Sequence, residues 1–102
     1  MTANSSCDVA QATRAESIEA PEFLAKLRGG DEDAFAVLVR ATSARLLAVA
    51  RRMLGNDEDA RDALQDGLLA AHRSLASFRG TSRVSTWLHR IVVNAALMKL
   101  RS

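Results

Sequence analysis

The chain has 102 residues, a mass of 11.0 kDa, 48% apolar and 25% charged residues, and a formal charge of +2, enough for one domain that buries about two thirds of its unfolded surface. Nothing approaches the roughly 18 uninterrupted apolar residues of a membrane span, and no apolar run follows a basic one at the N-terminus, which argues against membrane insertion and export. The single cysteine, Cys7, has no internal disulfide partner and the two histidines stand at no metal-ligand spacing, so the reading is a reduced, cytoplasmic protein without a metal site.

Residues 1 to about 20 are small and polar without an apolar period, and are expected to form a flexible arm. Pro21 then opens a short helix to Arg28, with Glu22 in its first turn, Phe23, Leu24 and Leu27 as its apolar stripe, and Gly29 and Gly30 as its stop. Asp31 is the N-cap of a long second helix, in which Phe35, Leu38, Val39, Thr42, Leu46, Val49, Ala50 and Met53 recur every three or four residues until Leu54 and Gly55. The third helix starts at a cap on Asn56 or Asp57 and turns Ala60, Ala63, Leu64, Gly67, Leu68, Ala71 and Leu75 inward. Its other face carries Asp62, Gln65, Asp66, Leu69 and Arg73.

From Ser74 to Ser85 the sequence SLASFRGTSRVS has no helical period and reads as a loop. A fourth helix follows, with Val84, Leu88, Ile91, Val92 and Ala95 inward and Arg83, Thr86, Arg90, Asn94, Leu97 and Arg101 on the opposite side. The chain ends at Ser102 without a breaker, as a helix cut short would. With aromatic residues at 4% and no strand signal, the expected fold is all-α: a small bundle of three long helices plus a short N-terminal one, spanning residues 21–102.

Charge divides along the chain. Residues 1–66 hold all 12 acids and 8 of the 14 bases, a net of −4, whereas residues 67–102 hold 6 bases and no acid. A basic run without acids is the footprint of a polyanion site, and equally that of a solvated helix. On the third helix, Asp62 and Asp66 stand one turn apart with Gln65 beside them and Leu69 one turn on. This face suits arginines and an apolar contact from a partner helix, and it also suits plain solvation. In the loop and fourth helix, Phe78, Arg79, Arg83, Thr86, Arg90, Asn94 and Arg101 combine cations for phosphates, a ring for stacking and an amide for a base edge, the parts that single-stranded nucleic acid needs. Trp87 lies at the edge of the apolar stripe and reads as core, and the same reading is open for Phe78. Neither His72 nor His89 has a Ser, Cys or carboxylate at a catalytic spacing, and Gly29–Gly30 lacks the Lys and Ser/Thr of a phosphate loop, so no enzyme and no cofactor are expected.

The stretch DARDALQDGLLAAHRSLASFRGTSRVSTWLHRIVVNAALMKLR, from Asp59 to Arg101, resembles region 2 of the extracytoplasmic-function (ECF) group of bacterial sigma factors. Two signatures carry the resemblance: Asp59, Ala60, Asp62, Gln65 and Asp66 at the start, and the F-R-G…S-T-W-L-x-R-I…N run from Phe78 to Asn94. The upstream GGDEDAF and RRMLGN are similar too, so the likeness covers roughly residues 22–102. It implies a transcription initiation subunit that binds core RNA polymerase and opens promoter DNA at the minus-ten element. Asp62, Gln65 and Asp66 would meet the clamp helices of the polymerase β′ subunit; Asn94 would read a base flipped from the non-template strand, with Phe78 and Arg79 beside it. An anti-sigma protein is a further partner the family implies. The chain departs from the family's habits at His72, His89, Val39 and Thr42, where aromatics are more frequent, and at Gly67, which costs a helix interior up to about 1 kcal/mol relative to Ala. The family's second helical domain, which reads the minus-thirty-five element, is not represented, so this chain alone is expected to bind polymerase yet start transcription poorly or not at all. The competing reading is a helical interaction module whose basic face meets an acidic partner without any DNA.

Overall fold

A computed structural model describes residues 18–101, and these form four α-helices without a β-strand. Helix α1 spans Pro21–Arg28, α2 Glu32–Leu54, α3 Asp57–Ser74 and α4 Val84–Arg101, with a 3₁₀ turn at Leu75–Ser77 inside the loop before α4. Helix α3 packs against both α2 and α4, which also touch each other, while α1 lies on α2 and the 3₁₀ turn. The all-α bundle expected from periodicity is the fold observed.

Local chemistry accounts for both ends of α2 and the start of α3. Asp31 Oδ1 accepts the Ala34 amide at 3.0 Å and starts α2. Gly55, at φ +80°, ends it in the left-handed conformation that only glycine adopts freely, its amide returning to the Arg51 carbonyl at 2.8 Å. One residue later Asn56 caps α3, accepting the Asp59 amide at 2.8 Å while its own amide group donates to the Asp59 carboxylate at 3.0 Å. Of the two cap candidates Asn56 takes the role, because Asp57 is engaged by Arg51 at 2.6 Å and Arg61 at 2.7 Å. The hydrogen bond from Arg61, followed by that from Arg51, holds the Asp57 carboxyl below its ordinary range.

The core is asymmetric. Helix α4 contributes Val84, Leu88, Val92 and Ala96, and α2 contributes Ala34, Leu38, Thr42, Leu46 and Ala50. The buried positions of α3 are Ala60, Ala63, Gly67 and Ala71, all small. Small residues let backbones approach closely, and at Gly67 they do: a Cβ there would lie 2.8 Å from Val92 Cγ2 and 3.0 Å from Val92 Cα. The glycine expected to weaken α3 is a point where α3 and α4 approach too closely for a side chain. Thr42, the buried polar residue of α2, donates its hydroxyl to the Leu38 carbonyl at 2.8 Å.

Two expectations change. The inward stripe of α4 steps by four residues, so Ala96 is buried and Ala95 turns half-exposed toward α3. The expected arm ends sooner than residue 20, for Ile18 is 2% exposed within the core cluster. Cys7 and the rest of that arm, residues 1–17, lie outside the described residues.

Candidate functional site

Helix α3 presents Asp62, Gln65, Asp66 and Leu69 on its exposed side, as residues spaced by three and four must when Ala63, Gly67 and Ala71 face inward. Leu69 is 49% exposed, high for a leucine on a helix otherwise well packed. Two grooves flank this ridge. Toward α2, Gln65 and Leu69 border a groove of about 530 Å³ floored by Phe35, Val39, Leu47, Leu64 and Leu68. Toward α4, Asp66 borders a groove of about 550 Å³ with Ala70, Ile91, Asn94, Ala95, Met98 and Lys99. The ridge is therefore acidic at its crest and apolar on both flanks, which suits a partner helix that brings cations to Asp62 and Asp66 and apolar side chains to the grooves.

On α4, Arg83, Thr86, Arg90, Asn94, Leu97 and Arg101 stand on the side away from the core, and all but the half-buried Thr86 are exposed. Asn94 borders the α3–α4 groove and also a smaller hollow of about 300 Å³ with His89, Arg90 and Val93. Asn94 thus stands beside Arg90 at the edge of a groove that Ile91, Ala95 and Met98 line together with Asp66 and Lys99, an arrangement able to hold an unstacked base by its edge and face. Thr86 lines a smaller cleft of about 160 Å³ with Thr42, Arg45, Leu46 and His89, and His89 is shared with the hollow beside Asn94. Arg79 is exposed in the loop beside Gly80, whose φ of +78° bends the chain there.

Phe78 is a correction. It is 3% exposed, inside the core cluster, with its ring 5.1 Å from that of Trp87 at an interplanar angle of 51°. A ring so enclosed offers no face to a base, and it anchors the loop instead. Trp87 is half-buried against the core, at its edge.

Three relations escape the sequence pattern. Lys99 donates to Asp62 at 3.3 Å, tying the basic helix to the acidic ridge across 37 positions. His72, which has no carboxylate at a helical spacing, receives one from α2: its Nε2 lies 3.4 Å from Glu32 Oε2, and its ring meets Phe35 edge-on at 4.9 Å. Glu32 is largely exposed and His72 partly so, and the pair forms part of the rim of the groove between α2 and α3. Glu19, from the expected arm, reaches the first amides of α4. Among the described residues no three His, Cys, Asp or Glu side chains cluster as metal ligands do, and no helix is long and apolar enough to cross a membrane.

The ECF RNA polymerase sigma factor SigM of Mycobacterium tuberculosis strain H37Rv is 51% identical over 80 residues, 78% of this chain and 41% of that protein. The RNA polymerase sigma-H factor of Pseudomonas aeruginosa is 33% identical over 75 residues, 74% of this chain and 39% of that protein. SigW of Bacillus subtilis, another ECF sigma factor, is 34% identical over 76 residues, 74% of this chain and 41% of its own length. The chain spans about two fifths of these relatives. The model of the Sigma-70 region 2 family matches residues 38–102, which take in most of α2 and all of α3, the loop and α4. With that match over more than half its length, this chain belongs to the Sigma-70 region 2 family.

Proposed function

We propose that this chain acts in transcription initiation as region 2 of an ECF sigma factor, docking on core RNA polymerase through α3 and holding the minus-ten non-template strand with α4 and the loop before it. The observation that carries the reading is the pairing of two neighbouring surfaces: an acidic ridge flanked by apolar grooves on α3, and on α4, a helix without acids, a stripe of Arg83, Arg90 and Arg101 around Asn94, which borders one of those grooves. Asp62, Gln65, Asp66 and Leu69 meet the clamp helices of the β′ subunit. Arg79, Arg83, Arg90 and Arg101 meet phosphates, Thr86 lies at the stripe's edge, and Asn94 reads a flipped base. The module is non-enzymatic, uses no cofactor, works in the cytoplasm, and offers its ridge to an anti-sigma protein when polymerase is not bound.

Calorimetry against a β′ clamp-helix fragment tests the docking half. Gln65→Ala and Asp66→Ala should each weaken binding; Asp62→Ala also removes the Lys99–Asp62 ion pair, so it is interpretable only beside Lys99→Ala. Unchanged binding in all four variants would remove the docking face from α3. For the strand half, Asn94→Ala should lower discrimination at one position of a minus-ten strand by about 1 to 3 kcal/mol, and equal loss for every base there would make Asn94 structural.

The exposure of Leu97, Met98 and Leu100 on the last turns of α4 favours a second reading, an interaction module that meets an acidic protein and no DNA. Salt separates the two, because phosphate contacts release counterions and give affinity a steep salt slope.

A further inference from the structure

The residue before helix α4 cannot cap it with its side chain. Arg83 stands immediately before it, with its carbonyl accepting the Trp87 amide at 3.0 Å, but an arginine side chain carries only donors and cannot satisfy the free amides of a helix start. Glu19 does so from 65 positions away. Its Oε1 accepts the Val84 amide at 2.7 Å and its Oε2 accepts the Ser85 amide at 3.1 Å, with Arg83 Nε 3.7 Å from the same oxygen. The Glu19 side chain is only 15% exposed. It is held on one side by Ile18, which shares the core cluster with Phe78, Val84 and Leu88, and on the other by Ala20, whose carbonyl accepts the Leu24 amide of α1.

This contact closes the loop at its far end. Phe78 pins the near end in the core, Gly80 bends the middle, and Glu19 decides where α4 begins. We infer that Glu19 is a positioning residue for strand reading, fixing Arg83 at the start of α4, the register of Arg90 and Asn94 on it, and the path of the loop that carries Arg79. The inference rests on the strand-reading role proposed above. A carboxylate beside a phosphate-binding surface repels the ligand, so Glu19 contributes to strand binding only through the geometry it imposes. That sign makes the role separable from a purely electrostatic one.

The test uses the whole chain, with Glu19→Ala and Glu19→Gln, and reads three quantities: amide hydrogen exchange, affinity for a minus-ten single strand, and affinity for the β′ clamp-helix fragment. In Glu19→Ala, exchange at Val84 and Ser85 should rise, strand affinity should fall by up to about ten-fold, the ceiling reached when the strand must restore the whole lost cap, and clamp-helix affinity should stay at the parent's value. Glu19→Gln, which keeps one acceptor oxygen, should show a smaller loss and covers the case in which the alanine variant unfolds. Tighter strand binding in either variant would overturn the inference, since it would make Glu19 a competitor of phosphate at the helix start. Equal losses on both ligands would overturn it too, by reducing Glu19 to general stability. If the parent chain itself fails to bind the strand, the strand-reading proposal falls and the positioning role with it; protected Val84 and Ser85 amides would then locate the failure in that proposal and not in the contact.

Discussion

Helices α3 and α4 have equal length, 18 residues each, yet they are built on opposite terms. Helix α3 carries its own start signal in Asn56, buries only alanine and glycine, and turns Asp62 and Asp66 outward. Helix α4 borrows its start from Glu19, buries Val84, Leu88 and Val92, and carries no acid at all. The difference is one of division of labour. A slim helix brings two neighbours close and leaves its outer ridge free for a partner, whereas a helix with a bulky inner face supplies the volume of the core and is set in place by the rest of the fold.

The comparison predicts that α4 fails when it is made smaller and α3 when it is made larger. Leu88 is fully buried, so Leu88→Ala should cost about 2 to 5 kcal/mol, measured as a fall in the denaturant midpoint at unchanged slope. At Gly67 the added methyl of alanine meets Val92 Cγ2 at 2.8 Å and Val92 Cα at 3.0 Å. The overpacking of about 1 to 3 kcal/mol outweighs the gain of up to about 1 kcal/mol in helix propensity, and Gly67→Ala should destabilise. Adding Val92→Ala removes the side-chain overlap and leaves the one with Cα, so it should relieve only part of the strain. A Gly67→Ala variant more stable than the parent would show that the two helices are free to move apart, and the close approach would lose its meaning.

The same division explains what the sequence discloses. Asp31, Gly55 and Asn56 act on neighbours three or four positions away, so the starts and stops of α2 and α3 are legible from residue types alone. The ridge of α3 is legible for the same reason, since Asp62, Gln65, Asp66 and Leu69 follow helical spacing. Glu19 and Lys99 are not, because each finds its partner only after distant elements pack. Phe78 looks like a stacking residue among Arg79, Gly80 and the hydroxyl residues around it, but its burial depends on where the 3₁₀ turn delivers it. Gly67 has a propensity cost that is local and visible, and a packing gain that only Val92, 25 positions on, makes apparent. Ala95 and Ala96 are indistinguishable by type, and a stripe stepping by four rather than three decides between them.

Caps extend the contrast at smaller energies. Asn56→Ala should cost about 1 kcal/mol and should raise amide exchange only in the first turn of α3, because the lost hydrogen bond is local. An exchange change that spreads into α4 would show that the α3 start is shared with the rest of the fold as the α4 start is, and the two helices would no longer differ in this respect.

The smallest effect lies at the hinge between α2 and α3, where Asp57 takes hydrogen bonds from both Arg51 and Arg61. The carboxyl titrates below its ordinary value of 3.8, with Arg61 the larger influence and Arg51 the next. A carboxyl whose pKa is lowered by folding contributes stability that is fully present above the unfolded value and is lost as pH falls through the folded one. The hinge should therefore keep this contribution at neutral pH and lose it only below the ordinary carboxylate range. Carboxyl carbon shifts followed through an acid titration should show the Asp57 midpoint rising more in Arg61→Ala than in Arg51→Ala, and less in either at high salt, because the groups are exposed and their charges are screened. The reverse order would mean that α3 is tied back to α2 more firmly than it is braced along its own first turn, and its start would then depend on packing as that of α4 does.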